Sequence, residues 1–187
     1  MSDVMIAVAL VALQRAAELV LARRNTRALR EAGGVEYGAG HYPLIVALHA
    51  SWLIALPLAV PAGAEPDGIL IALYLALQPL RYWAIAALGR RWTTRVIVVP
   101  GAAPVRAGPY RFLRHPNYLA VALEIPLLPL AFGAWEIAAV FGMLNFALLA
   151  IRIRAEDEAL STESARRDVY ARGTGASAPL DRKGARG

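Results

Sequence analysis

The sequence predicts an all-α, polytopic membrane protein of about five transmembrane helices that ends in a helical hairpin and a cytoplasmic C-terminal helix. Three observations carry this prediction. Hydrophobic residues make up 58% of the 187, and the mean hydropathy of +0.46 exceeds what soluble domains carry. Five stretches approach the roughly 20 apolar residues needed to cross a hydrocarbon core of about 30 Å. The basic residues, Arg15 and Arg81 apart, are confined to one side's connections and the C-terminal segment.

The first span is expected from Val4 to Ala22, the second from Pro43 to Val60 and the third from Ile69 to Leu88. The fourth, Tyr118 to Phe132, and the fifth, Glu136 to Ile151, are short and joined only by the turn around "GAW". They read as an antiparallel hairpin, with Pro126 and Pro129 bending its first arm.

Charge tests the arrangement. Arg23, Arg24, Arg27 and Arg30 follow the first span, and Arg90, Arg91, Arg95, Arg106, Arg111 and Arg114 follow the third. Arg152, Arg154, Arg166, Arg167, Arg172, Arg182, Lys183 and Arg186 follow the fifth, and with Arg15 and Arg81 inside spans they complete the 20 basic residues. The opposite connections, "PAGAEPDG" and "GAW", carry none. Because positive residues collect on the cytoplasmic side, the N-terminus is expected outside and the C-terminus inside, in what reads as a bacterial inner membrane. A cleaved signal peptide is not expected, since "MSDVM" has no basic region. Residues 1–172 read as one membrane domain, with its cofactor-binding part at about 90–172, and 173–187 as a disordered tail.

Composition excludes several chemistries. With no cysteine there is no disulfide, thiolate nucleophile or thiolate-bound zinc, and His41, His49 and His115 are too scattered for a metal motif. A pI near 10.2 would permit nucleic acid as partner, but the placement of the charge points to membrane lipid instead. Neither "GAGHYP" nor "GAAP" makes a dinucleotide fingerprint, which argues against a Rossmann-type domain.

Ionisable groups inside spans face protein or a water-filled cavity, because lipid penalises them. Arg15 and Glu18, three apart, read as a structural pair; His49, one turn from the apolar Ile45 and Leu53, reads as a hydrogen-bonded packing residue. Arg81 either snorkels or lines a cavity with Gln78. Glu124, two turns inside the fourth span, needs protonation or an arginine from another helix.

Two polar clusters flank the hairpin. The connection before it carries six arginines and no acid, and packs Tyr110, His115, Asn117 and Tyr118 around the turn residues Pro109 and Pro116. A lipid-binding loop explains the charge but not that packing. After the hairpin, "RIRAEDEAL" continues the helical period, placing Arg152 and Glu156 one turn apart on one face, either as a solvated ion pair or as a site. Together the clusters suit a zwitterionic, nucleotide-like ligand: guanidinium for carboxylate, carboxylate for amine or ribose, aromatic faces for adenine or a sulfonium.

"GPYRFLRHPNY", the apolar hairpin and "RIRAEDEAL" resemble the isoprenylcysteine carboxyl methyltransferase family of integral membrane enzymes, over about residues 75 to 172. "RAAELVLARRN", "EYGAGHYPLIVALH" and "LRYWAIAALGRRWTTRVIVVPG" look more like bacterial members associated with methylating long-chain alkylpyrones or alkylresorcinols. The resemblance implies S-adenosylmethionine as methyl donor, held by Tyr110, His115, Pro116, Asn117 and Tyr118, with Arg95 and the segment ending at Val105 contributing from upstream. It places Arg152 and Glu156 beside the reacting groups and implies a lipophilic or prenylated acceptor. Two departures stand out: Ala120 where a glycine often follows the tyrosine, and Asp157 in place of a common glutamate.

The implied reaction is methyl transfer to a carboxylate, phenol or enol oxygen that Arg152 positions, with Glu156 or His115 available as base for a phenol. A nicotinamide-dependent membrane lipid reductase and a non-catalytic lipid-binding or small transport protein are the alternatives.

Overall fold

Each of the five apolar stretches forms one helix in the computed structural model, which describes the backbone of residues 2–174 and side chains through residue 162. The helices are α1 (Asp3–Glu31), α2 (Tyr42–Ala59), α3 (Gly68–Leu88), α4 (Pro116–Ala131) and α5 (Trp135–Thr174). Four of these, α4 excepted, are long and apolar enough to cross a membrane; α4 has 16 residues. At 40 residues and a rise of 1.5 Å each, α5 is about 60 Å long, twice a hydrocarbon core, so it runs unbroken from the hairpin through the polar cluster. The tail expected from residue 173 lies outside the described residues beyond Thr174.

Local chemistry sets the helix ends. Oδ1 of Asp67 accepts from the backbone N–H groups of Ile69 and Leu70 at 2.8 and 3.0 Å, capping α3. Pro116 begins α4, where its missing N–H costs nothing. The hairpin turns at Gly133, whose φ of +70° suits glycine, and Ala134 N–H closes the turn onto the Pro129 carbonyl at 2.9 Å.

Helices α1 and α3 run parallel and in register. Gln14 bonds Gln78, Glu18 bonds Arg81, and Asn25 bonds the Gly89 carbonyl, so the contacts advance together along both chains. Three zones follow one another along α1. The first is an apolar cluster in which Val4 and Val11 meet Trp52, Leu56, Ile125, Leu128 and Phe132. The second is a knot of charge. Arg15 donates to Glu18 at 2.9 Å and to Glu124 at 2.6 Å, and Arg81 reaches Glu18 at 2.5 Å and Glu124 at 3.1 Å. The expected Arg15–Glu18 pair is thus half of a four-residue cluster. Arg81 turns inward, buried, rather than snorkelling, and Glu124 meets arginines from two other helices. His49 bonds the Ile45 carbonyl of its own helix at 2.8 Å.

The third zone holds the basic connections. It includes a feature the sequence did not announce, a two-stranded antiparallel sheet of β1 (Val35–Tyr37) and β2 (Val96–Val98), with Glu36 opposite Ile97. The bundle's exterior is apolar, with Leu58 80% and Ile69 74% exposed, as suits a surface solvated by lipid.

Candidate active site

The third zone is built around Arg152, which α5 carries into the bundle between α4 and the segment entering β2. Its guanidinium is buried and spends two donors on the protein: Nη1 on the Thr94 carbonyl at 2.6 Å and Nε on the Tyr118 hydroxyl at 2.8 Å. The Tyr118 hydroxyl in turn donates its hydrogen bond to the Glu156 carboxylate. Arg152 and Glu156 therefore do not pair directly. One turn apart on α5, they are joined through a phenol on α4, and this bridge stands in place of the direct i, i+4 ion pair that is one of the two readings of their spacing.

The walls are fixed from several directions. Thr94 is held in place because Asn25 donates to the Trp92 carbonyl at 2.7 Å and the Thr26 and Thr93 hydroxyls meet at 2.7 Å. Arg95, next in the chain, is clamped by Glu36 across the small sheet at 2.5 Å and lies 4.1 Å over the ring of Tyr42. Glu36 also accepts from Arg30 at 2.6 Å. Burial pushes its carboxyl up, but the two guanidinium groups outweigh that and hold it below the usual carboxylate range.

The loop before α4 carries the aromatic side. A 3-10 turn over Gly108–Arg111 presents Tyr110, whose phenol is raised by burial and by the nearby Glu156 charge. Gly108 has φ +55°, and a Cβ there would lie 2.8 Å from Ala87, so the turn packs on α3 only with glycine. His115 stacks on Tyr118, ring centroids 5.4 Å apart and 14° from parallel, and its Nε2 lies 3.6 Å from Asp157. The residue that departs from the common glutamate therefore faces the histidine. Asn117, in the first turn of α4, buries an Oδ1 that has no hydrogen-bond partner.

These groups surround one cavity of 680 Å³, within the range of small-molecule and cofactor sites. Arg95, Val105, Tyr110, His115, Asn117, Tyr118, Arg152 and Glu156 all line it. Pro116 does not: it is fully buried and serves to start α4. Sequence reasoning missed Thr94 and the Glu36–Tyr42 hold on Arg95. The one available signal was a lone acid in "VEYGAGHYP", upstream of a loop rich in arginine and free of carboxylates.

Comparison with known proteins places the α3–α5 part of the site within a family match. Residues 70–162 match the isoprenylcysteine carboxyl methyltransferase (ICMT) family. The Bacillus subtilis protein YpbQ, described as uncharacterized, is 40% identical over 84% of this chain and 96% of its own length. An uncharacterized Haemophilus influenzae protein is 25% identical over 76% of this chain and 86% of its own. No solved structure matches. The chain belongs to the ICMT family, and the family match together with the apolar helices makes it a membrane protein of methyltransferase type.

Proposed function

We propose that this chain is an integral membrane, S-adenosylmethionine-dependent O-methyltransferase acting on a lipophilic acceptor. On this reading it has five spans, with the arginine-rich end of the bundle cytoplasmic. The observation that carries the proposal is the Arg152–Tyr118–Glu156 bridge facing a cofactor-sized cavity at the end of an apolar bundle.

The residues around the cavity fit the donor. Arg95 suits its carboxylate, Tyr110 and the stacked His115 and Tyr118 offer aromatic faces, and the unpartnered Oδ1 of Asn117 awaits an N–H or O–H donor. When bound, the donor supplies an electrophilic methyl on a sulfonium.

The protein's part is placement and charge. Arg152 is fixed by Thr94 and Tyr118 and keeps Nη2 to orient an anionic acceptor oxygen, which lowers the entropic cost of in-line approach. Glu156 has Oε1 beyond its bond to Tyr118 and is placed to accept a proton from a neutral acceptor; a carboxylate or acidic enol needs no base. Long-alkyl pyrone or resorcinol acceptors, implied by the amino-terminal resemblance, are acidic oxygens on greasy tails and suit a pocket floored by membrane.

Calorimetry with S-adenosylhomocysteine on detergent-purified protein is expected to show saturable binding. Mass spectrometry of long-chain phenols, enols and fatty acids incubated with the donor is expected to show gain of a methyl group. Absence of binding removes the reading.

A further inference from the structure

A second cavity, of 540 Å³, opens between α1 and α3 on the outside of the bundle, lined in part by Leu21 and Arg24 from α1 and by Ile85 and Ala86 from α3. Gly89 and Arg90, just past the end of α3, complete it. It shares no lining residue with the candidate active site.

Because α1 and α3 run parallel, both present the same sequence of chemistry in the same direction. Apolar Leu21, Ile85 and Ala86 come first, and Arg24 and Arg90 follow toward the basic end. The back wall is closed by Asn25, whose amide is spent on the Gly89 and Trp92 carbonyls at 3.2 and 2.7 Å. Small side chains at Ala28, Ala86 and Gly89 leave the recess open. Arg24 and Arg90 are exposed, and neither has an acidic partner among the described residues.

We propose that this groove holds an anionic phospholipid, its phosphate between Arg24 and Arg90 and an acyl chain along Leu21, Ile85 and Ala86. Basic pockets between membrane helices hold such headgroups, and the order of apolar and cationic residues matches an amphiphile standing in the adjacent leaflet. A zwitterionic lipid is disfavoured because no carboxylate lines the groove to receive its ammonium. A free phosphate leaves the apolar half unused.

The test uses delipidated, detergent-purified full-length protein, read by native mass spectrometry and thermal unfolding. Phosphatidylglycerol is added in one arm, phosphatidylcholine of the same chains in a second, and inorganic phosphate in a third. Only phosphatidylglycerol is expected to give retained adducts and a raised Tm. Arg24→Gln with Arg90→Gln is expected to weaken that binding roughly 30-fold, from about 1 kcal/mol for each basic residue. Arg23→Gln with Arg27→Gln removes the same charge from α1 outside the groove and is expected to leave binding intact. Ala86→Trp, which fills the recess without touching charge, is expected to abolish the adducts and serves should the Arg24/Arg90 variant not fold. Equal binding of phosphatidylcholine, stabilisation by phosphate alone, or equal loss in both double arginine variants overturns the proposal.

Discussion

Nε of Arg152, on α5, lies 2.8 Å from the hydroxyl oxygen of Tyr118, on α4. The hydroxyl has a single proton, and it points to Glu156 as a donated hydrogen bond. The phenol thus couples a cation and a carboxylate that the helix alone would leave as neighbours. Tyr118→Phe keeps the ring that stacks on His115 and removes only the bridge. Hydrogen bonds to charged groups contribute about 1.5–3 kcal/mol, so kcat/KM is expected to fall roughly 10- to 100-fold, with a Tm lower by about a few degrees because the buried Nε of Arg152 loses its acceptor. A rate within about twofold of wild type removes the bridge from the mechanism.

Charge and geometry at Arg152 are separable by substitution. Lysine keeps the charge but is a point donor on a flexible stem, and it does not bind the Thr94 carbonyl, the Tyr118 hydroxyl and an acceptor oxygen in one rigid fork. Arg152→Ala is expected to lower turnover by at least about 100-fold, the scale of misplacing a reactant that must be held for in-line approach. Arg152→Lys is expected to recover only part of that. S-adenosylhomocysteine affinity, measured by calorimetry, is expected to stay within several-fold in both. Full rate in the lysine variant shows that positive charge alone suffices.

Much of this site was legible because its chemistry lies in two short, dense stretches. The turn residues Pro109 and Pro116 fix the first, and the second continues an apolar helix, so the 3.6-residue period extends into "RIRAEDEAL" with Arg152 and Glu156 on one face. Hydropathy likewise announces a helix wherever lipid demands one. Long-range partners leave no such mark. The two carboxylates that meet Arg81 lie 63 and 43 positions away in the chain. The strands β1 and β2 are three residues each, too short for alternation to register, yet they carry the Glu36 clamp onto Arg95. Tyr118 was assigned by resemblance to the cofactor, while its hydroxyl lies between Arg152 and Glu156, because which atom a side chain offers depends on the helix packed against it.

Glu36 predicts an acid limb to stability. Its side chain is 16% exposed, and the Arg95 and Arg30 hydrogen bonds outweigh burial to hold its carboxyl below the usual range. A carboxylate depressed in the folded state stabilises the fold above its unfolded value, near 4.3, and that contribution is lost as pH falls through the lower folded value. Thermal unfolding from about pH 6 down to pH 3 is therefore expected to show a fall in Tm that is shallower in Glu36→Gln, whose clamp is weakened at every pH. Identical slopes for the two proteins detach Glu36 from the acid response.

The charge knot inside the bundle sums to zero, two arginines against two glutamates, and its balance matters more than any one contact. Arg81 donates to Glu18 through Nε at 2.6 Å and to Glu124 through Nη1 at 3.1 Å, while Arg15 donates to the same two carboxylates at 2.9 and 2.6 Å. Removing one member leaves a surplus charge in a buried site, which costs about 3–5 kcal/mol when a buried pair is broken. Glu124→Gln leaves a surplus cation and Arg81→Gln a surplus anion, and each is expected to lower the Tm in detergent steeply. The double variant restores neutrality with amides that can still bond one another, so its loss is expected to be smaller than the sum of the single losses. Strict additivity would mean that Glu124 and Arg81 act independently, and the knot would then be two separate pairs sharing an address.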